Sequence, residues 1–245
     1  MDARPTSGFD AWRAALRDEG FAFAPAAEVR PALARAGALD DWPAFAASWD
    51  DLHVDPYMAD AGRYRRRRHA VLHMAADGSW AVQPRQPHYQ TLDYNPLHGG
   101  IERWFEPIAP AVRDGATLRT VLAAAHRLFA ALSAPSTAWR VELHQFRIEA
   151  GAGTAGKPTP EGVHRDGVDW VLVLMVRRTN IAAGTTTIHD LARHEIGAFT
   201  LVDPFDAALV DDRRCFHGVT PVVPLDAARP AHRDVLVATF RALPV

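Results

Sequence analysis

Residues 161–176 read EGVHRDGVDWVLVLMV, a polar turn with two glycines that is followed at once by an apolar run. A short apolar run that begins beside turn-forming residues predicts a buried β-strand. Further short apolar segments follow, separated by turn-forming residues, at 185–189, 198–202, 207–210, 218–223 and 234–240. Many short strands at regular spacing are typical of a β-sandwich or a β-barrel, so we expect a mainly β fold here.

The chain before this region is richer in helical patterns. Apolar side chains recur at helical spacing over residues 117–133. Shorter helices are predicted over 10–19, 31–36 and 42–51. From Trp139 the pattern changes to the alternation of a strand. Since no linker separates the two regions, we expect a single domain over residues 1–245, with flanking helices mainly in residues 1–138 and a β-rich core in residues 139–245.

Composition limits the classes of function. The chain has 245 residues, is 48% hydrophobic and carries a net charge of −2, so it lacks the positive charge with which proteins hold nucleic acid. No apolar run is long enough to span a membrane as a helix. The single cysteine, Cys215, excludes an intramolecular disulfide and favours a cytoplasmic location. We therefore expect a small-molecule substrate, with no nucleic acid and no membrane as partners; the oligomeric state stays open, and a homodimer is allowed.

The turn at 161–170 also carries candidate metal ligands. Residues i and i+2 of an extended chain point to the same face, so His164 and Asp166 could bind one metal ion from the end of a strand. His217 is the leading candidate for a third ligand. Two histidines and one carboxylate on one face of an octahedron, with the opposite positions open, are typical of a non-haem Fe(II) oxygenase. The simpler interpretation is that Asp166 is a turn carboxylate before Gly167 and that His217 closes a strand.

Such an iron centre can bind a 2-oxoacid at two of its open positions, and the far carboxylate of the oxoacid then needs a buried cation. The planar guanidinium of an arginine suits a two-point contact with a carboxylate. Arg233 opens the predicted strand 234–240 and is the first choice for this anchor. Arg229, beside Pro230 in a predicted turn, and Arg241, near the end of the chain, are the alternatives.

Several residues could bind the charged and apolar parts of a substrate. Gln145 and Arg147 share one face of the strand before the turn, and Trp170 could form an apolar wall. The basic run Arg63–Arg68 allows three interpretations. We favour a strand whose arginines face solvent or pair with acids, because the net charge is negative; the alternatives are a patch that binds phosphate groups and a single arginine that binds a substrate carboxylate.

Longer stretches of the sequence resemble a known family. The motifs are Pro160–Gly167, Asn180–Gly184, Phe216–Pro221 and Arg233–Leu236, preceded by Trp49–Leu52 with Asp55, Tyr64–Arg67, His88–Gln90, Tyr94-Asn95 and Gly99-Gly100. With these motifs the chain, from Trp42 to Phe240, resembles the bacterial 2-oxoglutarate/Fe(II)-dependent dioxygenases that include the L-isoleucine hydroxylases. One departure is Ala182-Ala183-Gly184, where a Gly-Gly pair is expected.

The resemblance implies a double-stranded β-helix, also called a jelly roll or cupin-like fold, with Fe(II) bound by His164, Asp166 and His217. It also implies 2-oxoglutarate as cosubstrate, anchored by Arg233, and O2 as oxidant. The implied reaction hydroxylates an unactivated C–H bond of a free L-amino acid or cyclic imino acid and releases succinate and CO2. Related halogenating enzymes carry a small residue at the position of Asp166, so the carboxylate here favours hydroxylation.

Two other functions stay open. A jelly-roll metal protein without oxygenase activity, such as an isomerase or a sensor, would use the same three ligands but would need no oxoacid anchor at Arg233. A module that binds polyanions through Arg63–Arg68 would need none of the metal ligands. The partners of these arginines in the folded chain therefore help to separate the three functions.

Overall fold

One large antiparallel sheet takes strands from both parts of the sequence. The computed structural model describes residues 8–58, 62–95, 97 and 99–244. Its strands are β1 (Phe21–Ala24), β2 (His53–Val54), β3 (Arg65–Met74), β4 (Trp80–Val82), β5 (Trp139–Ala150), β6 (Trp170–Thr179), β7 (Ile181–Ala183), β8 (Thr185–His189), β9 (Glu195–Thr200), β10 (Ala207–Asp211), β11 (Phe216–Val219), β12 (Val222–Pro224) and β13 (Ala231–Ala242). Its helices are α1 (Gly8–Asp18), α2 (Ala26–Ala36), α3 (Trp42–Ala47), α4 (Pro110–Arg113) and α5 (Ala116–Ala130), and a 3-10 turn at Ser48–Asp51 follows α3.

The large sheet has the strand order β1-β10-β6-β13-β5-β3-β2, and β4 pairs with β3. Two smaller antiparallel sheets have the orders β11-β8-β9 and β12-β7. The longest pairing joins β13 to β5, from Ala231 opposite Ala150 to Ala242 opposite Trp139. Strands β1 to β4 come from the helix-richer part of the sequence, so both predicted parts contribute to this sheet.

The longest helix, α5, packs its apolar stripe on the large sheet. Leu118, Leu122, Ala125 and Phe129 recur at helical spacing and are buried. Phe129 stacks on Trp170 of β6, with ring centroids 5.3 Å apart. None of the helices in the described part of the chain combines the length and the apolarity that crossing a membrane requires.

Strand β6 is covered on both of its faces. Leu172 and Leu174 belong to the same core cluster as Phe129, on the side of the helices. Val171, one position along, packs with Ile188 of β8 in the small sheet. Full burial of one such side chain contributes about 1.5–3 kcal/mol. Helices on one face of a large antiparallel sheet and small sheets on the other make a double-stranded β-helix, which confirms the predicted fold class.

Candidate metal centre

His164 and His217 face each other across an antiparallel bridge. The backbone N–H of each residue donates to the carbonyl oxygen of the other at 2.9 Å. His217 lies on β11, and His164 lies in the turn that precedes β6. Directly opposed residues project their side chains from the same face, and the two imidazole centroids are 4.7 Å apart. The bridge therefore places two histidines that are distant in sequence side by side.

Asp166 completes a group of three potential metal ligands. His164 Nε2 lies 3.7 Å from Asp166 Oδ1, and His217 Nε2 lies 3.5 Å from Asp166 Oδ2. One donor atom from each residue lies within 4.8 Å of the other two. Bonds of about 2.1 Å place neighbouring ligands of an octahedron about 3 Å apart, so a small contraction lets all three bind one ion.

The surroundings of both histidines leave Nε2 available to a metal. His164 Nδ1 donates to the carbonyl oxygen of Gly162 at 3.0 Å, which places the lone pair on Nε2. His217 Nδ1 is buried without a hydrogen-bond partner in the described residues, and Asp212 Oδ1 is 3.9 Å away. Metal-binding histidines commonly turn their second nitrogen toward a carbonyl or carboxylate in this way. The donor set therefore fits a metal ion.

The carboxylate of Asp212 holds the turn that carries Asp166. It accepts the backbone N–H groups of Asp166, Gly167 and Val168 at 2.9, 2.7 and 3.0 Å. Gly167 has a φ of +77°, and a Cβ at this position would lie 2.7 Å from the Tyr94 ring. Only glycine meets both conditions without strain. The backbone of the turn therefore fixes where the Asp166 side chain begins.

Charge within the trio is shared unequally. Burial disfavours the protonated form of His164, but the carboxylates of Asp166 and Glu161 outweigh it and raise the pKa of His164 to about 9. Burial and the charge of His164 lower the pKa of His217 to about 4. Burial favours the neutral form of Asp166, yet His164 and His217 hold its pKa below the usual range. A metal cation can replace the proton on His164 beside this carboxylate.

Gln90 reaches the trio from a distant loop. Its side-chain N–H donates to Asp166 Oδ1 at 3.2 Å. Its side-chain oxygen accepts from Asn95 Nδ2 at 3.1 Å and from Arg103 Nη2 at 2.8 Å. Sequence reasoning named Gln90 only within a family motif and gave Arg103 no role, because the order of residues carries no signal that joins this loop to Asp166.

Arg233 lies on β13 opposite Ile148 of β5, and both residues line the same cavity as the trio. Only 3% of the residue is exposed. Burial, with a smaller effect from Arg178, lowers the pKa of Arg233 to about 10, so it stays a cation at neutral pH. Among the described residues no carboxylate pairs with it, and its Nε has no hydrogen-bond partner. A buried cation without an anion is the feature that an oxoacid anchor requires.

Arg229 and Arg241, the two alternative candidates for the oxoacid anchor, differ from Arg233 in burial. Arg229 is exposed, in the segment between β12 and β13. Arg241 is also exposed, at the end of β13, and donates to the carbonyl oxygen of Gly167 at 3.2 Å. Neither is buried like Arg233, so the structure favours the first choice for the anchor.

Gln145 and Arg147 lie on the helix-covered face of the large sheet and do not line this cavity. Gln145 Nε2 donates to Ser48 Oγ at 2.8 Å. Arg147 forms ion pairs of 2.7 Å with both Asp234 and Asp50. Their neighbours on β5 that do line the cavity are Glu142, His144, Phe146 and Ile148. The structure therefore does not bring Gln145 and Arg147 to the metal ligands.

Trp170 also faces the helices. Its Nε1 donates to Ser133 Oγ at 3.0 Å, and its ring stacks on Phe129. The next residue, Val171, lines the cavity instead. An apolar wall exists near the trio, but the alternate residues of β6 supply it.

The arginine run is largely neutralised by acids. Arg65 pairs with Asp55, Arg66 with Glu149 and Arg68 with Asp51, each at 2.7 Å. These pairs agree with the interpretation of the run as a strand whose arginines pair with acids. They leave little free charge for a polyanion.

A second group of residues is close enough to hold a metal ion: His69, His88, Glu142 and His144. However, its atoms already pair with one another. Glu142 Oε2 lies 3.0 Å from His69 Nε2 and 2.8 Å from His88 Nδ1. Arg67 Nη2 lies 2.7 Å from His144 Nδ1, and a guanidinium at that distance repels a divalent cation. Of the two groups, the trio with free Nε2 atoms is the better metal site.

The fold and the trio thus describe a jelly-roll protein with a candidate metal site and a buried cation in the same cavity. A family model described as 2OG-Fe dioxygenase matches residues 46–239. This chain belongs to the 2OG-Fe dioxygenase family. It is an oxidoreductase, and the cofactors of the family are Fe(II), 2-oxoglutarate and O2.

Individual relatives agree with this assignment. The chain is 37% identical to a bsmA homologue from Methylobium petroleophilum PM1, whose crystal structure matches with a TM-score of 0.87 over 98% of this chain and 96% of that chain. It is 26% identical, over 92% of this chain and 93% of the relative, to 3(1)-hydroxy-L-isoleucine 4-dioxygenase from Pantoea ananatis (strain AJ13355). The structure of IDO from Bacillus thuringiensis, 17% identical, shares the fold with a TM-score of 0.74 over 100% of this chain and 99% of that chain. The predicted family and cofactors are confirmed.

Proposed function

We propose that this chain hydroxylates an unactivated C–H bond of a free L-amino acid or cyclic imino acid. In this proposal His164, Asp166 and His217 bind Fe(II), and Arg233 anchors 2-oxoglutarate. The observation that carries it is the buried guanidinium of Arg233, without an anionic partner, in the cavity that the three ligands line. The amino-acid substrate named for the Pantoea ananatis relative supports the substrate class.

Each of these residues has a separate task. Bound Fe(II), together with 2-oxoglutarate and O2, supplies the oxidation of the C–H bond and yields succinate and CO2. Arg233 pairs with the far carboxylate of 2-oxoglutarate through two N–H groups. Ile148, opposite Arg233 on β5, and Val235 line the same cavity and exclude water, which strengthens that ion pair. Asp166 fills a ligand position with a carboxylate, and this favours hydroxylation over halogenation.

Two observations favour this function over the alternatives. A sensor or isomerase that uses only the trio gives no reason to keep Arg233 buried and unpaired, because such a cation is costly without its anion. A polyanion-binding module would need free arginines, yet Arg65, Arg66 and Arg68 are paired with acids. The cytoplasmic location predicted from the single Cys215 remains part of the proposal.

The test is turnover of free amino acids. Protein loaded anaerobically with Fe(II) and 2-oxoglutarate is exposed to O2 with each of the twenty common L-amino acids and with cyclic imino acids. We expect succinate and a product heavier by one oxygen atom for at least one of them. His164→Ala should abolish both, whereas the exposed His194→Ala should not. Succinate no higher than in His164→Ala for every compound would overturn the proposal.

A further inference from the structure

Glu161 presents a carboxylate without a hydrogen-bond donor to the cavity. Its side chain is 8% exposed and lines the cavity that holds the trio. In the described part of the chain no group donates a hydrogen bond to it, and Oε2 is fully buried. Its close charged neighbour is His164 Nε2, 3.5 Å from Oε1. When a metal ion replaces the proton on His164 Nε2, this buried carboxylate loses its one paired charge among the described residues.

Glu161 does not bind the metal ion of the trio. The donor atoms of His164, Asp166 and His217 lie within 4.8 Å of one another, and Glu161 falls outside this group. Opposite ligands of an octahedron with bonds of about 2.1 Å are only about 4.2 Å apart, so a ligand must lie close to all of the others. Glu161 therefore stands beside the metal centre and faces whatever enters the cavity next to it.

Arg103 presents the opposite charge to the same cavity. Only 2% of the residue is exposed. Its Nη2 donates to the neutral side chain of Gln90 at 2.8 Å, and its Nε has no partner. Among the described residues no carboxylate forms an ion pair with it, unlike Arg65, which pairs with Asp55 at 2.7 Å. The charges of Asp55, Glu161 and Asp166 act on Arg103 only from a distance, so its guanidinium has no anion in contact with it among the described residues.

We propose that Arg103 and Glu161 bind the α-carboxylate and the α-ammonium of a zwitterionic substrate. This inference rests on the proposed function, since it takes this substrate to be the molecule oxidised at the metal. Both side chains line one cavity, yet they do not pair with each other, so a ligand with both charges satisfies both. A ligand that lacks one charge leaves the other buried ion unpaired, which is how a site rejects close analogues. The two residues therefore select free amino acids against hydroxy acids, amines and peptides.

Arg103 and Glu161, here called the clamp, are also connected to the metal centre, because Arg103 donates a hydrogen bond to Gln90. Arg103 and Asp166 bind the two ends of one amide, that of Gln90. A substrate carboxylate bound by Arg103 is therefore connected to Asp166 through the two hydrogen bonds that Gln90 forms with Arg103 and with Asp166. The substrate charge is held at a fixed place relative to the metal centre, which orients the C–H bond to be oxidised.

The experiment measures binding apart from turnover. Anaerobic protein with Fe(II) and 2-oxoglutarate is titrated calorimetrically with the twenty common L-amino acids. The amino acid that binds best is then compared with its α-hydroxy acid, which lacks the ammonium, and with its decarboxylated amine. The variants are Glu161→Gln and Arg103→Lys, and the controls are Glu195→Gln and Arg35→Lys at exposed positions. Melting temperature and 2-oxoglutarate affinity, which depends on Arg233, report whether each variant is folded.

We expect Glu161→Gln to weaken amino-acid binding about 10- to 100-fold and to leave hydroxy-acid binding unchanged. Arg103→Lys should weaken the amino acid and spare the amine. Glu161→Asp, which keeps the charge, should restore part of the preference for the amino acid. Both controls should behave as the unaltered protein does.

Three results would overturn the clamp. The first is a Glu161→Gln variant that keeps the full preference for the amino acid over the hydroxy acid. The second is a variant that loses Fe(II), because Glu161 would then be a metal ligand. The third is an unaltered protein that binds none of the amino acids. If an amino acid binds through Glu161 and yet gives no succinate with O2, the clamp stands and the proposed hydroxylation fails.

Discussion

Gln90 and Asp166, 76 residues apart in sequence, are joined by a hydrogen bond of 3.2 Å from Gln90 Nε2 to Asp166 Oδ1. The orientation of this amide is determined, because Asn95 and Arg103 both donate to its oxygen. The nitrogen must therefore point at the carboxylate. A loop distant in sequence thus fixes the rotation of a proposed metal ligand.

Removal of this amide should weaken metal binding. In Gln90→Leu the carboxylate of Asp166 loses a hydrogen-bond donor. Asn95 Nδ2 and Arg103 Nη2, which donate to the side-chain oxygen of Gln90, lose their acceptor. Loss of such a supporting contact typically lowers metal affinity about 10- to 100-fold. Titration of the metal-free protein with Fe(II) under anaerobic conditions measures the change. The control is Gln83→Leu, which removes a side-chain amide that donates to the carbonyl oxygen of Ala81 at the surface. Equal Fe(II) affinities in the two variants would contradict this role of Gln90.

Arg233→Ala should act on 2-oxoglutarate and spare the metal. The variant loses a buried ion pair with the cosubstrate, so KM for 2-oxoglutarate should rise at least about 100-fold. Fe(II) affinity should change little, because Arg233 contacts none of the three ligands in the described structure. Arg229→Ala, at an exposed position, is the matched control. An unchanged KM in Arg233→Ala would remove the anchor role and favour a metal protein without oxygenase activity.

His88 should make the fold sensitive to acid. Burial lowers the pKa of His88 to about 4, helped by the charges of Arg67 and Arg103 and opposed by Glu142. The unfolded chain takes up this proton near pH 6.5, so the unfolded state binds more protons between the two values and stability falls as the pH falls through that range. Between about pH 7 and about pH 5, the free energy of unfolding of His88→Gln should therefore fall by about 2 kcal/mol less than that of the unaltered protein.

Urea unfolding at both pH values, with a chelator present, measures this difference. The exposed His73→Gln is the control and should keep the full pH dependence. The same pH dependence in His88→Gln and in the unaltered protein would show that His88 is protonated alike in the folded and unfolded states.

Cys215 should be chemically inert in the folded protein. Burial raises the pKa of its thiol to about 11, and the residue is only 1% exposed. The thiolate is the reactive form, so iodoacetamide at about pH 8 should not modify the native chain within hours, whereas the chain unfolded in urea should react fully. Intact-mass spectrometry counts the adducts. Rapid labelling of the native protein would show that the thiol is not enclosed as described.

The residue pattern predicted the strands but not the direction in which their faces turn. In β5 the alternation correctly placed Gln145 and Arg147 on one face of the strand. A sheet that is covered on both faces has no polar side to mark the outside, so a pattern of period two leaves the choice open. In both β5 and β6 the opposite face of the strand lines the cavity. Arg147 can lie under the helices because it forms ion pairs with Asp50 and Asp234.

The candidate ligands were easier to find than their surroundings. His164 and Asp166 are two residues apart, and their spacing alone suggests a shared metal. We expected the two residues to lie at the end of a strand. They lie instead in a turn, because β6 begins only at Trp170. The hydrogen bonds to Gln90 and the amide contacts of Asp212 join distant parts of the chain. Such contacts depend on the tertiary fold, and no local pattern encodes them.

The location of the iron tests the central claim most directly. Crystals of the anaerobic complex with Fe(II) and 2-oxoglutarate would be measured at an X-ray energy at which iron scatters anomalously. We predict one strong anomalous peak bonded to His164 Nε2, His217 Nε2 and the carboxylate of Asp166, with the far carboxylate of 2-oxoglutarate on Arg233. A peak among His69, His88, Glu142 and His144, or 2-oxoglutarate bound away from Arg233, would contradict the account.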